Sequence, residues 1–207
     1  MDDRRRTAMN ITTIAELETL YAAPASASLS KVADHLTPEY ARLLEASPFV
    51  ALATVGPDGA DCSPRGDRGQ VAFALDDRTV AIPDRRGNNR IDTLRNIVAD
   101  PRVGCLFLIP GCNECLRING RARLSRDPAL IERFTVDGKP PVTVIVVEIE
   151  AVYFQCARAL IRSNLWNVHI DRATLPKAGE LIRSADASFE AEPYDAGLAE
   201  RQATTLY

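Results

Sequence analysis

Between residues 49 and 154 this chain strings together short apolar runs separated by turn residues, and it interrupts the series only once with an amphipathic helix. The runs read as strands at 49–55, 60–64, 71–75, 79–82, 102–109, 116–124 and 142–154. Gly56-Pro57-Asp58-Gly59 and Asp76-Asp77 supply tight turns. The helix is predicted over 89–98, where Ile91, Leu94, Ile97 and Val98 fall on one face. Six or seven mainly antiparallel strands with one inserted helix exclude a plain up-and-down meander. The pattern predicts a mainly β protein with helical extensions, built on an antiparallel closed or split β-barrel.

Both ends read as helical. Residues 1–48 form an N-terminal helical extension, 49–155 the barrel, and 156–207 a C-terminal helical extension that packs on the barrel or on a dimer partner. In the first segment a helix is expected at 14–21. Another starts at Thr37-Pro38, with Thr37 as N-cap and Pro38 in the first helical position. Residues 25–30 are small and polar. Asp127 N-caps a short helix, and 156–166 and 194–204 read as helices that close the chain.

With 207 residues, 46% of them hydrophobic, the chain can bury one proper core. A net charge of −3 points away from nucleic acid and from membrane surfaces. The longest apolar run, 142–147, is strand-sized and far short of a membrane span. The start, Asp2-Asp3-Arg4-Arg5-Arg6, has no apolar stretch behind it, so no signal peptide is expected. The five cysteines, Cys62, Cys105, Cys112, Cys115 and Cys156, are odd in number, which favours reduced thiols and a cytoplasmic setting. Cys112-x-x-Cys115 has no second ligand pair and precedes a strand, so neither a zinc site nor a thioredoxin-like pair is expected, and no metal is assigned.

Chemistry concentrates in Pro83-Asp84-Arg85-Arg86-Gly87-Asn88-Asn89-Arg90, a loop between a strand and a helix. Free N–H groups at a helix start and the forked donors of arginine suit a phosphate. The competing reading is a solvated arginine turn with Asn88 as the helix N-cap.

These pieces, in this order, resemble the pyridoxamine-5′-phosphate-oxidase-like FMN-binding split barrels from about Phe49 to Trp166. The resemblance rests on Phe49-Val50-Ala51-Leu52-Ala53-Thr54-Val55, the Pro57-Asp58-Gly59 turn, Ser63-Pro64 and the junction at Gly87-Asn88-Asn89-Arg90. It continues through Asp100-Pro101-Arg102-Val103-Gly104-Cys105-Leu106-Phe107 and Leu116-Arg117-Ile118-Asn119-Gly120-Arg121-Ala122. Ser63-Pro64-Arg65-Gly66-Asp67 and Ala159-Leu160-Ile161-Arg162-Ser163 with Leu165-Trp166 are similar to a subfamily with longer helical ends. The oxidases themselves carry Ser-Arg-Lys where this chain has Asn88-Asn89-Arg90, and their C-terminal basic residues for pyridoxal phosphate have no counterpart here. The resemblance thus implies FMN as cofactor, but not pyridoxamine phosphate oxidation.

It also implies roles. Asn88, Asn89 and Arg90 would meet the FMN phosphate, with Arg65 reaching across from the second strand. The other reading of Arg65 is a surface pair with Asp67. Groups near Ser63, Pro64, Arg65 and Gly66, and near Pro83 and Asp84, would border the isoalloxazine ring. Cys115 falls where relatives place a contact from the partner subunit. Trp166 is either a packing anchor or a lid over the partner's flavin, with Arg162 one helical turn earlier on the same face. The implied assembly is a homodimer with flavin sites at the interface. The leading expectation is an FMN-dependent oxidoreductase acting on a small molecule above the ring, with no catalytic residue assigned. The alternatives are a non-catalytic flavin-binding or storage module, or a deazaflavin- or haem-binding protein on the same barrel.

Overall fold

The computed structural model of the protein describes residues 10–207. The arginine-rich start at 2–6 lies outside the described residues. The chain divides into two compact units, residues 1–32 and 33–207.

The first unit contains helices α1 (Ile14–Leu20) and α2 (Ser26–Ser30). Thr13 caps α1 in a capping box: its hydroxyl accepts from Glu16 N–H at 3.2 Å, and the Glu16 carboxylate accepts from Thr13 N–H at 3.1 Å. The small polar residues 25–30, which carry no apolar period, nonetheless close one short helix.

The second unit opens with α3 (Pro38–Glu45). Thr37 caps it as the sequence predicts, accepting from Tyr40 N–H at 3.2 Å. The strands follow: β1 (Phe49–Gly56), β2 (Gly59–Gly66), β3 (Phe73–Ala74) and β4 (Thr79–Pro83). Next come the inserted helix α4 (Asp92–Ala99), β5 (Arg102–Leu108) and β6 (Cys115–Ser125). Helix α5 (Pro128–Arg133), capped by Asp127, leads to β7 (Val144–Gln155). The chain ends in α6 (Arg158–Ser163), a short 3-10 turn (Arg172–Thr174), α7 (Ala178–Ala185), α8 (Ala191–Ala196) and α9 (Leu198–Thr204). The closing helix expected at 194–204 is therefore two helices, which meet at Gly197.

The seven strands form one sheet in the order β2-β1-β5-β6-β7-β4-β3, and the pairings are antiparallel. The sheet is not closed: β2 and β3 remain its two edges. This is the split-barrel fold. Its core gathers Val50, Leu52, Val80, Ile82, Phe107, Leu116 and Ile118, with Ile145 and Val147 from the longest strand. Alternate residues Val144 and Val146 turn the other way, onto Ala81 and Phe134. Burial on both faces explains why this stretch reads as an unbroken apolar run rather than an alternating one.

Helix α4 is fastened to the sheet edge by polar bonds. Asn96 donates through Nδ2 to Thr54 Oγ1 at 3.1 Å, and Thr93 donates to Asp61 Oδ2 at 3.3 Å. A Cβ at Gly56 would overlap the Asn96 side chain, so glycine allows the helix to sit this close. These contacts fix where the loop before α4 ends. Among the described residues no helix is long and apolar enough to cross a membrane.

Candidate functional site

The β4–α4 junction has three parts. First, Pro83 is buried opposite Val144, and Asp84 N–H extends the pairing by donating to Thr143 O at 3.0 Å. Second, Arg85 turns inward. Its Nε donates to Asp67 Oδ2 at 2.7 Å and its Nη1 to Phe134 O at 2.5 Å, and the side chains of Arg85 and Asp67 are only 13% and 6% exposed. Asp67 also accepts from Arg68 N–H at 2.8 Å and from the Tyr207 hydroxyl at 2.7 Å. The Tyr207 ring lies under two guanidinium groups, Arg68 at 4.9 Å and Arg85 at 5.6 Å. Third, residues 86–90 are exposed. Asn88 Oδ1 accepts from Arg90 N–H at 3.0 Å, Asn89 adopts the left-handed conformation at φ 60°, and Arg90 pairs with Asp92 at 2.5 Å while staying 80% exposed.

Helix α4 starts three residues later than the periodicity suggests. Its N-cap is Ile91, which offers no side-chain acceptor. Asn88 is therefore not the cap; it closes a turn inside the loop. The first N–H groups of α4 have no side-chain cap.

Across from this loop, β2 turns Asp61, Ser63 and Arg65 to its more buried side, and leaves Cys62, Pro64 and Gly66 exposed. Ser63 donates to Asp61 at 3.0 Å. Arg65 does not pair with Asp67, because Arg85 already occupies that carboxylate. Arg65 faces Asp84 instead, Nε to Oδ1 at 3.8 Å, with side chains 22% and 20% exposed. Its Nη1 donates to Pro64 O at 3.0 Å, but its buried Nε has no hydrogen bond. Burial raises the Asp84 carboxyl above its usual range, and the Arg65 cation opposes that shift.

Trp166 and Cys115 form a second group. Cys115 opens β6 opposite Gln155, and burial pushes its thiol up. Trp166 donates from Nε1 to the Cys112 carbonyl at 2.7 Å, which ties the segment after α6 to the loop before β6. Arg162 does not share a helical face with Trp166: α6 stops at Ser163, and Asn164, at φ 50°, turns the chain. Arg162 is exposed, and its side chain makes no hydrogen bond or ion pair among the described residues.

The structure thus sets Arg65 against Asp84, which follows Pro83 and leads into the loop carrying Asn88, Asn89 and Arg90; Ser63 bonds instead to Asp61, and Trp166 to the Cys112 carbonyl three residues before Cys115. Sequence reasoning gave Asp67 the wrong partner, Arg65 instead of Arg85, and assigned no role to Arg85, Thr143 or Tyr207. Arg85 follows Asp84 directly just beyond β4, yet the two take different partners, Asp67 and Arg65. Tyr207 carries no signal, because its partner is 140 residues away.

The family profile of pyridoxamine 5'-phosphate oxidase matches residues 36–156, and the chain belongs to that family. No curated protein matches it. Among solved structures it is similar to HupZ of Group A Streptococcus, with 18% identity over 57% of this chain and 93% of that one, at a TM-score of 0.48. It is also similar to a pyridoxamine 5'-phosphate oxidase-related, FMN binding protein of Nostoc punctiforme, with 18% identity over 67% of this chain and 87% of that one, at a TM-score of 0.43.

Proposed function

We propose that this protein is an FMN-dependent oxidoreductase that acts on a small molecule held above the flavin ring. The observation that carries the reading is the buried Arg65 Nε, a charged donor without a hydrogen bond, facing Asp84 at the root of the loop that carries Asn88, Asn89 and Arg90 and leads to the uncapped start of α4. A phosphate supplies the acceptors that this set of donors lacks. Arg65 would anchor the phosphate from β2, and Asn88, Asn89 and Arg90 would close over it from the loop. Ser63, Pro64 and Gly66 on β2, with Pro83 at the end of β4, would border the ring. When bound, the flavin supplies hydride and electron transfer.

A homodimer completes this reading. On the face of the sheet away from the core, Pro64, Ala51 and Leu106 stand in register, as do Cys62, Ala53 and Gly104. All six are exposed or half-buried. A flat, small-residue surface of this kind suits a second copy of the same sheet. The Trp166–Cys115 group, separate from the Arg65 corner in one chain, would then serve the partner's flavin, with Arg162 nearby. The five free cysteines support a cytoplasmic setting.

The test is spectroscopic. Purified protein is expected to be yellow, to release FMN on denaturation, and to bleach with NADH or NADPH and recover with an acceptor. Stable flavin that no donor reduces points to a storage module, and a deazaflavin or haem spectrum points to the other ligands. Light scattering is expected to show a dimer, and Trp166→Ala to loosen FMN and alter its spectrum. A monomer that still binds FMN tightly contradicts the interface.

A further inference from the structure

Two buried side-chain polar atoms lack a hydrogen bond among the described residues: Arg65 Nε and Thr143 Oγ1. Both belong to residues that meet Asp84. Arg65 Nε lies 3.8 Å from Asp84 Oδ1, and the Thr143 carbonyl accepts from Asp84 N–H at 3.0 Å. The Asp84 carboxylate accepts no hydrogen bond among the described residues. Buried polar groups are nearly always satisfied, so the unpartnered Arg65 Nε facing a carboxylate that accepts no hydrogen bond marks a place where a ligand completes the bonding.

That ligand faces a conflict. Arg65 invites an anion, while an ionised Asp84 beside it repels one. Protonation of Asp84 removes the conflict and turns the carboxyl into a donor.

We propose that Arg65 and Asp84 form a proton-coupled phosphate subsite: when a phosphate docks on Arg65 Nε, Asp84 takes one proton from solvent and donates its new O–H to the ligand. The inference rests on the flavin reading, with the FMN phosphate as the docking group. One O–H bond forms on Asp84, one proton leaves the solvent, and no other bond changes.

The charged surroundings of Asp84 favour this coupling. From β2 it faces Arg65. The segment after β2 contributes Asp67, which is locked to Arg85, the next residue along from Asp84 itself. The segment before β7 contributes Thr143, which does not titrate. Arg65 is thus the cation that favours ionised Asp84, against a larger burial effect that favours the acid. A phosphate that engages Arg65 weakens that hold, and its own negative charge favours the protonated carboxyl further.

Proton uptake on binding can be measured by titration calorimetry in buffers of different ionisation enthalpy, from about pH 5 to pH 8, where such linkage appears. FMN and riboflavin, which lacks the phosphate, are the two probes. The wild-type protein is expected to take up close to one more proton with FMN than Asp84→Asn does, and its FMN affinity to fall by up to about tenfold per pH unit more steeply. The second ionisation of the phosphate, near about pH 6, contributes equally to both proteins and cancels. Riboflavin is expected to bind with no uptake, and Arg65→Gln to lose the preference for FMN over riboflavin. Thermal unfolding of each variant verifies that it is folded. Equal uptake by wild type and Asp84→Asn, or equal uptake with FMN and riboflavin, overturns the proposal while leaving the flavin reading intact. A wild-type protein that binds neither flavin overturns both.

Discussion

Two arginine–aspartate pairs meet where β2 and β4 end, and they are built in opposite ways. Arg85 and Asp67 are close, buried and satisfied: 2.7 Å apart, with Phe134 O, Arg68 N–H and the Tyr207 hydroxyl taking up further bonding capacity. Arg65 and Asp84 stand 3.8 Å apart with an unpartnered Nε and a carboxyl pushed toward its acid form. The first pair is complete without any ligand and holds the loop root against β2. The second, on the phosphate reading proposed above, becomes complete when a ligand arrives. Similar residue types thus make a clamp in one case and, in the reading proposed above, a receptor in the other, and the difference lies in which lone pairs and protons already have partners.

The sharpest break in that comparison comes from the clamp. Arg85→Ala leaves Asp67 charged and buried, which should cost about 3–5 kcal/mol of stability. Urea unfolding checks this, and a loss below about 1 kcal/mol would mean the pair is not a clamp. Arg65→Ala should reverse the profile. Stability should hardly change, while FMN affinity should fall by about 1.5–3 kcal/mol, the range for a lost charge-assisted bond, in a fluorescence titration. If both variants lose stability equally, the distinction between the pairs fails.

A smaller effect belongs to the exposed arm of the loop. Arg90→Ala should weaken FMN by about 1.5 kcal/mol, the low end for such a contact, whereas Arg4→Ala, outside the described residues, should leave affinity unchanged. Equal affinities would remove Arg90 from the phosphate site. Tyr207→Phe deletes one hydrogen bond to Asp67 and should cost about 1 kcal/mol, seen as a lower Tm with no change in flavin affinity.

The smallest effect is on pH dependence without ligand. Asp84 has a folded-state pKa raised above its ordinary 3.8. The native protein keeps this proton at pH values where the unfolded chain has released it, so stability falls as pH rises from about 3.8 up through the folded pKa. Subtracting the Asp84→Asn unfolding profile from the wild-type profile isolates this slope. A positive difference slope there would contradict the burial effect.

The elements themselves were largely legible. Turn residues at 56–59 and 76–77, the Thr37-Pro38 and Asp127 caps and the apolar run at 144–147 are local signals, and the structure follows them. Errors fell where locality fails. Asn88 looks like an N-cap, but α4 begins at Asp92, where bonds from Asn96 to Thr54 and from Thr93 to Asp61 seat the helix. Arg162 and Trp166 have helical spacing, but Asn164 ends the helix between them.

What the sequence determined alone was the family and the strand–loop–helix segment that the proposed site uses. A strand, a Gly-Asn-Asn-Arg loop and an amphipathic helix are written in consecutive residues, and their local preferences suffice to place a cluster of donors at one strand end. Which arginine holds which aspartate was decided only by the tertiary structure. Arg65, Asp67, Asp84 and Arg85 permit several pairings in sequence. Asp84 and Arg85, adjacent beyond β4, take different partners, Phe134 and Tyr207 arrive from distant segments to complete one pair, and the other keeps an unused donor. Those outcomes depend on burial and on partners many residues away, which no local pattern records.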